Sequence, residues 1–386
     1  MKCERLKISD FSQVITGGTP STSKKEYWEN GSIPWLNSGE LNQNIIETCE
    51  NKITELGLQN SSSRIMPPDT VLIALTGTTT GVVGYLTFEA CANQSVTGIL
   101  PSSKHHPKYL YYYLKSIRSK ILEESYGGAQ KHISQGYVKD LEIPLPPLET
   151  QKRIAEILDA ADALRQKDQE LLKKYDELAQ AIFIDMFGDI SSNSKNLLKI
   201  KLGELGKWQS GGTPPRNKPE YFSGNIPWLS SGELNEMYIS DSKEHITETA
   251  IKESSTRIIE EGSLLLGMYD TAALKSTITT KKMSCNQAIA YSKLDNKMVN
   301  TVYVYSIIQI GKEEYKKLQR GVRQKNLNLS IIKNLEILLP EIKEQNKFAD
   351  LIATIERQKT SVLNSFIQSE ALFNSYIHKA FNGKII

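Results

Sequence analysis

The stretch Ile33-Pro34-Trp35-Leu36-Asn37-Ser38-Gly39-Glu40-Leu41-Asn42 returns later in the chain as Ile226-Pro227-Trp228-Leu229-Ser230-Ser231-Gly232-Glu233-Leu234-Asn235. Nine of the ten residues are identical. A recurrence at a fixed long period is typical of an internal duplication, and here the period is about half of the chain. The match also extends outward, to Gly17-Gly18-Thr19-Pro20 with Gly211-Gly212-Thr213-Pro214, Ser62-Ser63-Arg64-Ile65 with Ser255-Thr256-Arg257-Ile258, and Asn93-Gln94 with Asn286-Gln287. The sequence therefore predicts two copies of one structural unit.

Length and composition indicate a globular protein with more than one domain. A chain of 386 residues is too long for a single core, and its 39% hydrophobic and 24% charged residues are ordinary. No apolar run approaches the ~18 residues of a membrane span, and Met1-Lys2-Cys3-Glu4-Arg5 leads into no signal core. We therefore expect a cytoplasmic protein without a membrane partner.

The net charge of +3 is modest for a protein that binds nucleic acid. Residues 149–187 carry nine acids against six bases, so the positive excess lies on either side of them. This distribution is compatible with DNA binding but does not require it.

The residues that could carry chemistry show no catalytic or metal-binding pattern. The four cysteines have no metal-ligand spacing, and the histidines form no H-x-x-x-H pair. The glycine-rich residues 76–84 fit neither phosphate-binding spacing, and their counterpart at 269–275 contains no glycine. Nor is there an amino-methyltransferase motif or a nucleophile elbow. We expect no catalytic residue, no metal and no cofactor in this chain.

Two long stretches without glycine or proline follow the two copies. In the first, apolar residues recur at three- and four-residue steps, interrupted by Asp168, which predicts a helix of roughly 57 Å at ~1.5 Å per residue. The second begins near Lys343 and repeats the stripe. We expect the two helices to pair antiparallel as a spacer with a globular domain at each end; the alternative is that each packs on its own domain. The stripes contain Ile154, Leu158, Ala161, Leu164, Leu171, Tyr175, Leu178 and Ile182, and Phe348, Ile352, Ile355, Val362, Phe366, Phe373 and Ile377.

The globular copies read as a mixed α/β fold of the α+β type. Val71-Leu72-Ile73-Ala74-Leu75 is typical of a buried strand, and residues 109–117 predict a helix with an aromatic face. Three loops differ between the copies: 21–25 against 215–218, 76–84 against 269–275, and 127–132 against 321–326. Their Lys, Arg, Asn, Gln, Ser, Thr and Tyr side chains are of the kind that reach phosphates and base edges. The alternative is that the loops drift because nothing constrains them.

Several of these motifs together resemble the specificity subunit of type I restriction-modification systems. They are the Gly-Gly-Thr-Pro opening, Tyr27-Trp28 with Ile33-Pro34-Trp35, the turn Gly127-Gly128-Ala129-Gln130-Lys131, and the proline-rich strand before Glu149-Thr150-Gln151-Lys152-Arg153-Ile154. The resemblance covers nearly the whole chain, twice. The second copy departs from it in one turn, Gly321-Val322-Arg323-Gln324-Lys325, which has lost a glycine.

The resemblance implies two pseudo-symmetric target-recognition domains, each reading half of a bipartite site in double-stranded DNA. Two long antiparallel coiled-coil helices would join them, fix the gap and dock two modification subunits, and through these the restriction subunits. The chain itself would be non-catalytic, with S-adenosylmethionine, ATP and Mg on the partner subunits. The predicted boundaries are 1–148 for the first recognition domain, 149–190 for the first helix, 191–342 for the second domain and 343–386 for the second helix.

Within this expectation, candidate residues can be named. Arg64 and Arg257 are candidates for backbone contacts common to both halves. Trp35 and Trp228 are expected in the core because their neighbours are apolar. The other DNA-binding candidates are Lys24, Thr78, Gln130, Lys131, Arg216, Lys218, Tyr269, Lys275, Arg323, Gln324 and Lys325, and the partner-binding candidates are Ile154, Leu158, Leu171, Phe348, Ile352 and Phe366.

Two other readings stay open. The chain could be the recognition part of a fused restriction enzyme, although its course from Met1 to the end of a second long helix favours a separate subunit. It could also be a stand-alone duplicated binding scaffold.

Overall fold

The computed structural model describes residues 4–128, 130–269, 272–317 and 326–381. The chain divides into two compact units, each containing one copy of the repeat. Unit 1 consists of the described residues within Met1–Gln169 and Asn364–Ile386, and unit 2 of those within Glu170–Leu363. Each unit therefore combines one globular domain with a part of each long helix.

The globular part of unit 1 is built on a five-stranded sheet. Its central strand, Val71–Ala74, is buried along its whole length, as expected for a continuous apolar run. It pairs antiparallel with both neighbours, and an edge strand joins in parallel. The strand order is Val14–Thr16, Val96–Ile99, Val71–Ala74, Val83–Leu86 and Ile45–Ile46. Two smaller sheets contain Lys52–Ile53, Ile33–Leu36 and Cys91–Ala92, and Arg5–Lys7 with Glu142–Pro144.

Unit 2 repeats this topology strand for strand. Its five-stranded sheet has the order Gln209–Ser210, Ile289–Ser292, Leu264–Gly267, Ser276–Thr279 and Tyr238–Ile239. Its smaller sheets contain Glu244–Ile246, Ile226–Leu229 and Ser284–Cys285, and Leu198–Lys201 with Glu336–Leu339. The recurrence in the sequence is thus a recurrence of fold.

Short helices cover the sheets. The predicted aromatic helix is present as Pro107–Ser116, with proline in its first turn, and Tyr109, Tyr111 and Tyr112 are buried. The others in unit 1 are Ile8–Phe11, Glu55–Gln59, Arg118–Glu124 and Gln135–Asp140, with 3-10 turns at Lys25–Tyr27, Ser38–Gln43 and Gly77–Thr79. Unit 2 has Glu248–Glu253, Thr301–Ile310, Lys312–Lys316 and Leu329–Asn334, with 3-10 turns at Leu202–Glu204, Pro219–Phe222 and Ser231–Glu233.

A buried glutamine fastens each domain to the start of a long helix. In unit 1 the Gln151 Oε1 accepts from the His106 N–H at 2.8 Å, and its Nε2 donates to the Pro146 carbonyl at 2.8 Å. In unit 2 Gln345 makes the same two bonds, to the Asn300 N–H at 2.9 Å and to the Pro340 carbonyl at 2.8 Å. These bonds satisfy partly or fully buried backbone groups at the junction, and the two junctions are built in the same way.

The two long helices, Leu148–Phe187 and Ile342–Phe381, run antiparallel where they meet inside each unit. In unit 1 the buried Asp168 carboxylate accepts from the Ser365 and Ser369 hydroxyls at 3.1 and 3.0 Å. In unit 2 the Lys359 Nζ donates to Asp176 at 2.7 Å. The predicted α+β fold class, with two repeated domains and two long antiparallel helices, is confirmed.

The helices also pack on the domains. Ile154 and Leu158 belong to the main core of unit 1, together with Phe373 of the second long helix. Phe183 and Phe348 lie in the main core of unit 2 and pack against Tyr303. The ring centroids of Phe183 and Tyr303 are 5.8 Å apart. The sequence left two alternatives open: the long helices pair with each other, or each packs on its own domain. In the structure both are true, because the helices pair and also pack on the domains.

Candidate nucleic-acid interface

The Gly-Gly-Thr-Pro motif and the repeated tryptophan form the same structural centre in both domains. The Trp35 Nε1 donates to the Gly18 carbonyl at 2.9 Å, and the Trp228 Nε1 to the Gly212 carbonyl at 3.0 Å. A Cβ on Gly18 would lie 2.5 Å from the carbonyl carbon of Ser62, so only glycine fits. Trp35 and Trp228 are 9% and 2% exposed, as predicted for core residues. We call this centre the glycine–tryptophan hub.

The two shared arginines lie on the surface beside this hub. Arg64 follows Ser63, whose Oγ donates to the Gly18 carbonyl at 2.7 Å. Arg257 occupies the corresponding position in unit 2, and both arginine side chains are exposed. The predicted role of the pair in backbone contacts stays a prediction, and the geometry gives both arginines access to a ligand.

In unit 1 two of the divergent loops meet. The Gly77 N–H donates to the Lys131 carbonyl at 3.1 Å, and the Thr80 hydroxyl donates to the same carbonyl at 2.7 Å. Thr78, Gln130 and Lys131 are all exposed. The structure therefore brings these three candidates together on one surface, which we call the unit 1 reading loops (residues 76–81, 126–128 and 130–132).

The corresponding loops of unit 2 are only partly within the described residues. Tyr269 is 40% exposed, and the Lys275 Nζ donates to the Asn235 Oδ1 at 2.7 Å, so Lys275 is tied to a neighbouring loop. Arg323, Gln324 and Lys325 lie outside the described residues. At the edge of that gap the Leu327 N–H donates to the Met268 carbonyl at 2.7 Å, as the Ile133 N–H does to Leu75 at 2.9 Å in unit 1.

Two of the remaining candidate cations are tied to tyrosines. The Lys24 Nζ donates to the Tyr27 hydroxyl at 2.9 Å, and this hydrogen bond raises the pKa of Lys24. The Lys218 Nζ donates in the same way to Tyr221 at 2.7 Å. This repeated Lys-x-x-Tyr contact stabilises the local turn, so a structural role accounts for both lysines without DNA.

Arg216 is engaged still more fully. Its guanidinium makes a bidentate pair with Glu244, with N–O distances of 2.6 and 2.8 Å, and lies 4.4 Å from the Phe222 ring centroid. The Arg216 hydrogen bonds lower the pKa of Glu244, which keeps the carboxylate charged. Arg216 would have to leave Glu244 to bind a phosphate, and its predicted role in reading stays untested.

Most of the candidate partner-binding side chains are not exposed. Ile154, Leu158, Phe348 and Ile352 are at most 3% exposed because each lies in the core of its own unit. Phe366 is half-buried, and Leu171 is 40% exposed. A partner can reach Leu171 directly, whereas the four buried residues can support a partner only through the shape of the helices.

Sequence reasoning did not select several exposed or half-buried polar residues that the structure places at the hub. Thr19 and Thr213 donate to the Oε1 atoms of Gln94 and Gln287. Their signal was present in the sequence, because all four are identical between the copies, but identity alone did not separate surface from core. Among the described residues, no cluster of three or more His, Cys, Asp or Glu side chains could bind a metal ion. None of the helices within the same ranges has the length and hydrophobicity of a membrane-spanning segment.

Comparisons with known proteins agree with this architecture. The family model described as the type I restriction modification DNA specificity domain matches the chain twice, over residues 2–174 and 195–369. The specificity subunit of the type I restriction enzyme MjaIX from Methanocaldococcus jannaschii is 27% identical over 371 residues, covering 90% of this chain and 85% of the relative.

Two solved structures share the fold. The type I restriction-modification S subunit from M. genitalium has a TM-score of 0.64 at 15% identity, covering 99% of this chain and 96% of that one. A chain from a study of complex assembly and conformational transition of the type I R-M system has a TM-score of 0.54 at 13% identity, covering 99% and 98%. With both repeats matched by the family model, the chain belongs to the family of type I restriction-modification specificity subunits.

Proposed function

We propose that this chain is the DNA specificity subunit of a type I restriction-modification complex, with one recognition domain in each repeat. The predicted domains 1–148 and 191–342 would each read one half of a bipartite, asymmetric site. One observation carries the proposal: both repeats have the same glycine–tryptophan hub, but the loops at equivalent positions beside it differ in sequence. A duplicated frame that holds dissimilar polar loops can present one kind of ligand, duplex DNA, with two different base sequences.

The long helices, in the predicted ranges 149–190 and 343–386, would fix the unread gap between the two halves. They would also dock two modification subunits, because two repeated units offer two equivalent surfaces. We place the docking on exposed apolar side chains of the helices instead of on the buried candidates. They include Leu164, Ile367 and Leu372 in unit 1, and Leu171, Leu178 and Leu363 in unit 2.

Catalysis would reside on the partners. The modification subunits would bind S-adenosylmethionine and methylate adenine, which has to leave the base stack, and the restriction subunits would use ATP and Mg. This chain would hold the duplex, through phosphate contacts for affinity and through loop side chains for sequence. The assembly would work in the cytoplasm, where its DNA lies.

The experiment is modification-sensitive sequencing of the genome in cells that express this chain with its modification subunit, and in cells that lack the chain. We expect a methylated motif of two short halves with a fixed gap, present only with the chain. If the modification subunit is active and no such motif depends on the chain, the proposal fails and a duplicated binding scaffold remains.

A further inference from the structure

Four polar residues around the hub are identical in type in both repeats. Core packing explains identical apolar residues, but it does not explain why exposed polar ones should match. In each repeat the arginine, the glutamine and the serine are exposed, and the threonine is half-buried. The set in unit 1 is Thr19, Ser62, Arg64 and Gln94, and in unit 2 it is Thr213, Ser255, Arg257 and Gln287.

The glutamine is held at the tip of a fixed turn. In unit 1 the Asn93 Oδ1 accepts from the Ser95 N–H at 3.0 Å, and the Asn93 carbonyl accepts from the Val96 N–H at 3.1 Å. In unit 2 Asn286 holds its turn with the corresponding bonds, at 3.1 and 3.2 Å. The asparagine thus serves the turn, and the following glutamine projects outward.

The neighbouring Gly-Gly-Thr-Pro segment, which follows the strand Val14–Thr16, brings Thr19 to this turn. The Gly18 N–H donates to the Ala92 carbonyl at 2.8 Å, which fastens the Gly-Gly-Thr-Pro segment beside Asn93. A Cβ on Gly18 would lie 2.2 Å from the Ser62 Oγ, so Ser62 rests directly on the glycine. The close approach that requires glycine therefore places Ser62 beside the segment that carries Thr19, and the exposed Arg64 follows Ser62 by two residues.

The hydrogen-bonding capacity that remains is dominated by donors. The Gln94 Oε1 already accepts from the Thr19 hydroxyl, and the Gln287 Oε1 from Thr213. The Nε2 of each glutamine has two further N–H donors, and no hydrogen-bond acceptor for them lies among the described residues. The guanidinium of Arg64 or Arg257 contributes donors only. Such a surface fits a ligand that only accepts, and phosphate oxygens are ligands of that kind.

We propose that these four residues form a phosphate-binding site for the DNA backbone, present once in each repeat and indifferent to base sequence. The inference rests on the proposed function and deepens it. Identical side chains cannot distinguish two different half-sites, so the loops that differ would read the sequence. The four shared residues would instead fix the position of each domain on the duplex.

The test uses the complex assembled with modification subunits, and a duplex that carries its methylated motif beside one in which both halves are scrambled. In the double variant R64A/R257A, affinity for both duplexes should fall by the same factor, roughly tenfold or more per arginine. The slope of log affinity against log salt should become shallower by about 1.8, because two phosphate contacts are lost at about 0.9 each. In Q94A/Q287A both affinities should fall roughly 2- to 12-fold per glutamine with the slope unchanged, because the lost donors are neutral.

The matched control is K104A/K297A, which removes the same charge from exposed lysines elsewhere on the two domains and should leave the slope unchanged. Unchanged affinity and slope in the arginine variant would overturn the inference. So would a loss confined to the motif duplex, which would indicate base reading, or a loss of the modification subunits on size-exclusion chromatography, which would indicate a protein interface. A wild-type complex that does not prefer its own motif would instead overturn the proposed function.

Discussion

The two repeats agree in their frame and differ in what the frame carries. Trp35 and Trp228 make the same hydrogen bond to a glycine carbonyl, within 0.1 Å. In contrast, the loop after the central strand contains Gly77 and Gly81 at φ 77° and 73° in unit 1, whereas Leu274 stands at φ 60° in unit 2. Packing explains the agreement, because a changed hub would disturb the core around it. The two loops differ in how they pack, since Leu274 of unit 2 is fully buried where unit 1 uses glycines.

A second contrast lies inside the cores. The position two residues before the aromatic helix is His105 in unit 1, where it is 2% exposed, and the corresponding position before the helix Thr301–Ile310 in unit 2 is Val299, which is fully buried. The His105 Nδ1 lies 2.9 Å from the Ser102 hydroxyl, and among the described residues its Nε2 is buried without a partner. The same fold thus buries an ionisable side chain in unit 1 and an apolar one in unit 2 at equivalent positions. The stability of the two units should therefore respond differently to low pH.

The largest effect should come from removing the hub tryptophan. W228A should destabilise unit 2 by about 3–5 kcal/mol, because it creates a cavity and leaves the Gly212 carbonyl unpaired. Hydrogen exchange of the strand Ile226–Leu229 measures this, with unit 1 as internal reference. W35A should create the same kind of cavity in unit 1, with a somewhat smaller loss because the Gly18 carbonyl still accepts from the Ser63 hydroxyl. The matched control, W28F, introduces the residue of the other repeat, Phe222, and should cost less than about 1.5 kcal/mol. A W35A variant as stable as W28F would break the equivalence of the hubs.

The second effect depends on pH. Burial lowers the pKa of His105 to about 4, from 6.5. Between pH 6.5 and 4 the unfolded chain therefore binds a proton that the folded chain does not, and stability falls as the pH drops through this window, by up to about 3 kcal/mol. In H105V, which has the residue of unit 2, this part of the acid loss should vanish. Urea unfolding or hydrogen exchange of unit 1 at pH 7 and pH 4.5 measures it. His106 is present in both proteins, so an equal acid loss in H105V would contradict the assignment.

A smaller loss should follow from cutting the junction between domain and helix. Q151A and Q345A each remove the side-chain partner of a backbone N–H and of a backbone carbonyl that are partly or fully buried, at a cost of about 1–3 kcal/mol to the affected unit. The exposed Gln169 on the same helix provides the control, and Q169A should stay within about 0.5 kcal/mol of wild type. Denaturant unfolding followed by hydrogen exchange separates the units. A cost in one unit but not in the other would show that the two junctions, despite their matched hydrogen bonds, differ in strength.

The smallest effect concerns a contact that only unit 2 has. The Arg216 and Glu244 side chains are about half exposed, and the corresponding residues of unit 1 are Thr22 and Asn51. E244Q should therefore cost only about 0.2–1 kcal/mol, and less at high salt. Urea unfolding at low and high salt measures it. A loss that does not depend on salt would assign the stabilisation to the packing of Arg216 on Phe222 instead of to the ion pair.

The sequence was sufficient for the fold because duplication and periodicity are properties of the chain itself. The repeat around Trp35 and Trp228 predicted two like domains, and the apolar stripes predicted both long helices. The pattern of apolar residues along a helix does not show which surface packs against them. Leu158 and Phe348 were therefore candidates for binding a partner, although each is buried in the core of its own unit. Likewise, a lone Arg216 reads as a free cation until the fold brings Glu244 beside it.

The most direct test of the account is the methylated motif of the double variant T78A/K131A, which alters the unit 1 reading loops and leaves both hubs intact. Cells that express this variant with the modification subunit should show a motif relaxed or altered in one half only, with the other half and the gap as in wild type. A change in both halves, or a motif identical to the wild-type one, would contradict the claim that each repeat reads its own half through the loops that differ.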